Sequence, residues 1–223
     1  MPRNVKSRRA PRAPRRKRTY TRRAPRKLAI KRNPFPLSTI CQMKYVDQIS
    51  IDAVGGLTAS YFFRANSIYD PNYTGAGHQP YGHDQYMALY DQYEVIKSSI
   101  RVTAVGGTIG NAAGHGILGV AVKDDYVAES NYLTIMEAKG SHYKVMNVDG
   151  KVTVSHGFNS KKMFPKAALE ATAAQFGNNP TEEAYFQVWT GGVYPLQEPG
   201  NLYCTVTIIY TVRCWELKDL GQS

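Results

Sequence analysis

The stretch "NLYCTVTIIYTVRCWEL", residues 201–217, alternates between apolar and polar side chains along its length. Alternation with a period of two is typical of a β-strand that has one buried and one exposed face. The first face carries Cys204, Val206, Ile208, Tyr210, Val212 and Cys214, and the second carries Tyr203, Thr205, Thr207, Thr211 and Arg213. The pattern predicts a long strand whose first face lies against the core.

The same period-two alternation recurs in other segments of the chain, which are separated by Gly, Pro and Asn residues. It predicts eight strands, at 42–53, 57–67, 93–105, 115–123, 142–148, 151–157, 183–190 and 201–216. Long, structured connections between antiparallel strands suit a jelly roll better than an immunoglobulin-like sandwich. We therefore predict an all-β fold, a single eight-stranded antiparallel jelly-roll sandwich, preceded by a disordered Arg-rich N-terminal arm.

The longest of these connections contains a pattern of helical period. In "DPNYTGAGHQPYGHDQYMALYDQY", residues 70–93, Tyr86, Leu89, Tyr90 and Tyr93 fall at i, i+3, i+4 and i+7. This spacing predicts a short helix that Asp84 caps. A periodic stripe is first a packing signal, so we expect these side chains in the core rather than stacked on bases.

Residues 1–32 differ from the rest of the chain in charge. They hold fifteen of the 28 Lys and Arg and none of the 17 Asp and Glu, which leaves 13 basic and 17 acidic groups for the remainder. Such a basic block buries little apolar surface and repels itself, so we expect it to be disordered. The sequence predicts two parts: an arm at 1–32 and a β-domain at 33–223.

The arm predicts an anionic partner. Counterion release rewards each Lys and Arg on a nucleic acid, whereas a membrane surface or an organelle presequence calls for an apolar or amphipathic face. We predict nucleic-acid binding by the arm and no membrane insertion, since no run of about 18 apolar residues occurs. The predicted binding residues are Arg3, Lys6, Arg8, Arg9, Arg12, Arg15, Arg16, Lys17, Arg18, Arg22, Arg23, Arg26, Lys27, Lys31 and Arg32. The densest cluster, Arg15, Arg16, Lys17 and Arg18, has the composition of a nuclear import signal.

Signals for an enzyme, a cofactor or a metal are weak. "GHGILG", residues 114–119, satisfies G-x-G-x-x-G, but a strand rather than a helix follows it. His78 and His83 with Asp84 could form a metal site, and Asp124 with Asp125 could bind calcium, yet loop packing and a turn explain them more simply. We predict no catalytic residues, no cofactor and no metal, with Cys41, Cys204 and Cys214 as free thiols.

One segment resembles a known family. "NSIYDPNYTGAGHQPYGHDQYMALYDQYEVIKSSIRV", residues 66–102, is similar to the segment shared by capsid proteins of circovirus-like single-stranded DNA viruses, through Asp70-Pro71, Gly75 to Pro80, and Tyr90 to Tyr93. "GILGVAVKDDYV" and "YTVRCWELKDL" also resemble circovirus capsid segments. Many relatives have an aromatic residue where this chain has His83.

The resemblance implies a coat protein that self-assembles, as about 60 copies, into a small icosahedral shell around single-stranded DNA. It implies nuclear import receptors and an attachment receptor of the host as partners, the second of unknown identity, and locations in the virion and the host nucleus. Two alternatives stay open: a cellular nucleic-acid-binding structural protein, and the coat protein of a small single-stranded RNA virus. A cellular binder usually spreads basic residues over its folded surface, whereas here we expect the charge to be confined to the arm. An enzyme such as a nuclease or ligase ranks last, because no carboxylate cluster has a recognisable spacing.

Overall fold

Eight main strands build the domain. The computed structural model describes residues 34–106, 108–109, 112–113, 116–146, 150–194 and 199–219. The strands are β1 (Ser38–Ala53), β2 (Ala59–Arg64), β3 (Tyr90–Gly106), β4 (Ile117–Lys123), β5 (Ser141–Val145), β6 (Lys151–Asn159), β7 (Tyr185–Gly191) and β8 (Gly200–Leu217). Each predicted strand overlaps an observed one, so the prediction of eight strands is confirmed.

The pairing of these strands is nested. Antiparallel ladders join β1 to β8, β2 to β7, β3 to β6 and β4 to β5. Two further ladders, β8 with β3 and β7 with β4, complete a first sheet of order β1-β8-β3-β6 and a second of order β2-β7-β4-β5. A long antiparallel ribbon folded over in this way is a jelly roll, which confirms the predicted fold class.

The main core fills the space between the two sheets. The inner face of β8 is buried as the alternation predicted, through the six side chains from Cys204 to Cys214. They pack with inner residues of both sheets such as Tyr45, Ile100, Phe186 and Val188. Facing side chains of two packed sheets interdigitate in this way, so the period-two pattern of each strand has its physical cause here.

A second, smaller core lies on the outside of the second sheet. Helix α2 (Tyr132–Glu137) places Tyr132 and Ile135 over Trp189 of β7, which is fully buried. Trp189 occupies the space above Gly119, where a Cβ atom would lie 2.1 Å from the indole ring. The close approach of Trp189 therefore requires a glycine at position 119.

The helix predicted around Asp84 is shorter than expected. Helix α1 spans His83–Met87, and its N-cap is Gly82 rather than Asp84, which lies in the first turn. Tyr90 and Tyr93 belong to β3, where both are buried against the core. Their helical spacing arises because a short helix runs directly into a strand. The prediction of one helix through Tyr93 was wrong, while the prediction that these tyrosines pack in the core is confirmed.

The remaining elements are short. Helix α3 (Ser160–Met163) follows β6, and 3-10 turns span Val54–Gly56 and Lys166–Thr172. The segment Ala173–Gln175 pairs with β3, and Thr108–Ile109 pairs with Ala112–Ala113. Among the described helices, none is long and apolar enough to cross a membrane.

Candidate nucleic-acid interface

The predicted binding residues of the arm, Arg3 to Arg32, lie outside the described residues, and so do Arg15 to Arg18 of the proposed import signal. Their roles stay predictions, as does the division into 1–32 and 33–223. The described chain begins at Pro34 and enters β1, an edge strand of the first sheet, at Ser38. From Phe35 onward the chain forms one compact unit.

The outer face of the first sheet carries an excess of cations. Successive side chains of a strand point to opposite faces, so the residues between the core positions form this outer surface. Strand register places Thr207, Arg101 and Ser155 in one row across it. The exposed cations of the face are Lys44, Lys97, Arg101, Lys151 and Arg213, and its described carboxylates are Asp52 and Glu94.

Three adjoining depressions on and beside this face form what we call the basic groove. Lys44, Ser99, Arg101, Ser155, Thr207 and Ile209 line the first. Arg101, Ser141, His142, Lys144, Thr153 and Ser155 line the second, of about 500 Å³, which shares two residues with the first. Lys139, Gly140, Gly157, Asn159 and Lys162 line the third, which continues along β6. No Asp or Glu occurs among the lining residues of these three depressions.

The carboxylates that form ion pairs lie elsewhere. Arg64 binds Asp70 and Glu183, at 2.9 and 2.7 Å. Lys123 binds Asp125 and Glu129, and Lys218 binds Asp91. Among the described residues, none of these ion pairs includes a lysine or arginine of the basic groove. Among the described residues, no ion pair therefore neutralises the positive charge of the groove.

Hydroxyl and aromatic groups accompany these cations. Tyr203 is 60% exposed on the outer face of β8. The guanidinium of Arg213 lies 5.4 Å from the ring centroid of Trp215 on the same strand. Lys and Arg neutralise phosphates, hydroxyls donate to them, and exposed rings stack on bases of any sequence. The face can therefore hold a single strand of nucleic acid without reading its sequence.

This distribution corrects one expectation. The charge is not confined to the arm, because a domain that is acidic in total carries one basic face. Sequence reasoning had placed Arg213 on the outer side of β8 but missed Lys44, Lys97 and Arg101 as its companions. Their signal was the alternation of each cation with core residues in the predicted strands. Only the sheet order β1-β8-β3-β6 brings them onto one surface.

The segment that resembles circovirus capsids holds a polar network. Arg64, buried at the end of β2, donates to the backbone oxygen and the carboxylate of Asp70. Asn72 donates to Asp47 at 2.9 Å and accepts from Tyr61 at 3.1 Å. A Cβ atom on Gly77 would lie 2.6 Å from the Tyr45 hydroxyl. These contacts fix the long connection against the sandwich, which is a structural role.

The histidines of that segment also pack rather than bind. His78 lies on Tyr45 with ring centroids 4.7 Å apart. His83 is 1% exposed, contacts Phe176 edge to face at 5.4 Å and lies 3.0 Å from Asp84. It fills the position where the resemblance to circovirus-like capsids implies an aromatic residue. Across the described part of the chain, no three His, Cys, Asp or Glu residues come together as metal ligands would.

The other candidate residues have plain structural explanations. Lys123 contacts Asp125, whose carboxylate accepts from the Val127 amide, so this is a capped turn. The strand β4 follows Gly116 directly, as expected for an accidental G-x-G-x-x-G match.

The cysteines are free thiols, as predicted. Cys204 and Cys214 are buried on one face of β8. Sequence reasoning missed that Cys41 of β1 lies beside Cys214, because cross-strand register is not readable from one strand. A hydrogen bond with Cys214 lowers the pKa of Cys41 to about 7.

The chain is similar, at low sequence identity, to several solved structures of viruses and of a viral capsid protein. No protein-family model and no curated protein matches it. Similar solved structures include a decameric BFDV capsid protein, at 12% identity and a TM-score of 0.44, covering 79% of this chain and 99% of that one. They also include a semi-empty virus-like particle of giant freshwater prawn Macrobrachium rosenbergii nodavirus, at 8% identity and 0.46, covering 86% and 100%. A third is Desmodium yellow mottle tymovirus, at 12% identity and 0.42, covering 88% and 99%.

Proposed function

We propose that the chain is a viral coat protein, about 60 copies of which close into a small icosahedral shell around single-stranded nucleic acid. The observation that supports this most strongly is a jelly roll with a groove lined by lysines and arginines, preceded in sequence by an arm of fifteen cations and no carboxylate. Jelly rolls recur in viral capsids, where many copies pack side by side. We propose no enzymatic activity.

Both the arm and the basic groove bind the cargo, and the arm supplies most of the charge. At about 3.1 Å per residue, an extended Pro-punctuated arm reaches close to 100 Å. Sixty arms supply on the order of 900 charges, each able to displace counterions from one phosphate. Small cations neutralise the remaining backbone, so a cargo of about one to two kilobases fits this capacity.

The test is to replace half of the Arg residues of the arm by Gln in the full chain. We expect particles that are empty or that protect a shorter nucleic acid from nuclease, because cargo length follows arm charge. The matched control replaces Lys6, Lys17, Lys27 and Lys31 by Arg, which keeps the charge and the cargo. Protected nucleic acid of unchanged length in the neutralised particles contradicts the proposal.

We further propose DNA as the cargo and the host nucleus as the site of assembly, from the resemblance to circovirus-like capsids. The cluster Arg15 to Arg18 then serves as an import signal before it contacts cargo. Residues 1–32 fused to a fluorescent protein are expected to accumulate in nuclei, and replacing these four residues by Ala is expected to abolish this. A fusion as cytoplasmic as the fluorescent protein alone argues against nuclear assembly.

A second candidate is a cellular nucleic-acid-binding structural protein, or the coat protein of a small single-stranded RNA virus. The basic groove on the folded domain favours the cellular candidate, because such proteins present cations on their folded surface. A cellular binder associates with nucleic acid without closing into shells. Electron microscopy of the purified protein at moderate salt therefore separates it from either coat protein.

A further inference from the structure

His142, which lines the basic groove, contacts a second histidine beside it. His142 of β5 and His156 of β6 have ring centroids 4.1 Å apart, where an edge strand of one sheet meets an edge strand of the other. His142 is exposed, and its Nδ1 lies 3.4 Å from the backbone oxygen of Ser155. A carbonyl oxygen only accepts, so Nδ1 carries the proton and Nε2 is the atom that protonation converts into a donor.

The charged side chains that line the groove around this pair are, in the described part of the chain, all cations. Arg101 faces the groove from β3, Lys144 from β5, Lys139 from the turn before β5 and Lys162 from helix α3. On β4, Lys123 is engaged with Asp125 and Glu129. Burial, and next the neighbouring His142, lower the pKa of His156, with no carboxylate contributing. The neutral form of His156 is therefore favoured.

Hydroxyl groups complete the surroundings of the pair. Thr153, Ser155 and Ser141 line the same depression as His142. The buried Ser141 Oγ has no hydrogen-bond partner among the described residues. Cations, hydroxyls and the imidazole of His142 around one open depression, with His156 in contact behind it, are groups that can donate to a phosphate.

We propose that His142 and His156, with Arg101 and Lys144, form a phosphodiester site in the basic groove whose affinity for single-stranded nucleic acid rises as the pair takes up a proton. The proposal rests on the proposed function, since it assigns the groove to the packaged strand. An anion in the groove favours the protonated pair, and by reciprocity protonation favours the anion. Acidification therefore raises the affinity of the domain for its cargo, and a return to neutral pH lowers it.

The arm does not obscure this effect. Residues 1–32 contain no His, Asp, Glu or Cys, so their contribution to binding is nearly constant where histidine titrates. The experiment measures binding of fluorescent oligo(dT) by the full chain at about pH 5.5 and about pH 7.5, at one salt concentration. We expect affinity about five- to tenfold higher at the lower pH. The double variant H142N/H156Q is expected to lose this difference, whereas H78N, which alters an exposed histidine outside the groove, is expected to keep it.

A second variant tests the proposal in case H142N/H156Q does not fold. R101Q/K144Q leaves both imidazoles in place, removes two cations that hold the anion, and is expected to reduce the pH effect. Thermal midpoints at about pH 7.5 show whether each variant is folded, and the exposed H142N substitution serves if the double variant is not. A wild-type affinity that does not change with pH, or an equal change in H142N/H156Q, overturns the proposal.

A sulfated oligosaccharide, used as a competing probe, shows whether the site binds the phosphodiesters of a nucleic acid or another polyanion. Proton-linked binding of this probe without linked binding of oligo(dT) also overturns the proposal, because the site then belongs to another polyanion. Failure of the proposed function has a different readout. The chain would then form no closed shells, whereas the pH effect on oligo(dT) binding is measured on the chain whether or not shells form.

Discussion

Neutralising two groove cations should change the salt dependence of nucleic-acid binding by a calculable amount. Lys44 and Arg101 line the same depression and are unpaired among the described residues. Each phosphate contact on a single strand contributes about −0.7 to the slope of log K against log salt. The variant K44Q/R101Q should therefore have a slope shallower by about 1.4, equal to about a sevenfold smaller loss of affinity between about 50 and about 200 mM salt.

The assay is fluorescence anisotropy of oligo(dT) with the full chain across a salt series. The matched control, K166Q/K218Q, removes the same charge from positions that do not line the basic groove. Its slope should remain that of the wild type. If both variants shift the slope equally, only net charge matters and the groove is not a contact surface. If K44Q/R101Q leaves the slope unchanged, the arm alone holds the strand and the reasoning is refuted.

Three further predictions concern the domain itself. Gly119→Ala should lower the free energy of unfolding by about 1–3 kcal/mol in denaturant titration, since the new methyl group overlaps Trp189; wild-type stability would contradict that packing. Arg64→Met should cost about 3 kcal/mol by the same measurement, because Asp70 and Glu183 lose their shared cation; a neutral outcome would mean that solvent already satisfies both carboxylates. His156 has a lowered pKa, so as pH falls below its ordinary value of 6.5 the unfolded chain takes up the proton first, and stability declines until the folded pKa is reached. Thermal scans should show this decline in the wild type and a smaller one in H156Q, and parallel curves would exclude the histidine as its cause.

The strands were predictable because each has one face in the core. Alternation in 201–217 places Cys204 and Tyr210 inward and Tyr203 outward, and burial follows that pattern. The end of helix α1 before Tyr90 was not predictable, because the same tyrosines satisfy a helical period and the start of a strand. Local spacing alone does not show that the backbone joins a ladder with β8 at Tyr90.

The basic groove was only partly predictable. Each cation could be placed outside the core from its own strand, but charge totals conceal a one-sided distribution. To predict that Lys44 and Arg101 line one depression, the register of β1, β8 and β3 must be known. The contact of His142 with His156 needs more, since it joins strands of different sheets. Residues that share a site through sheet order, and not through sequence spacing, are the ones that a single sequence does not reveal.

The most direct measurement for the coat-protein proposal is the mass and shape of the particles that the purified full chain forms. One chain has a mass of 24.9 kDa, so a closed shell of about 60 copies weighs about 1.5 MDa before its cargo is added. Mass photometry at moderate salt, with electron microscopy of the same sample, should show spherical particles of at least this mass that protect nucleic acid from nuclease. Monomers or small oligomers that bind nucleic acid without closing into particles would contradict the account.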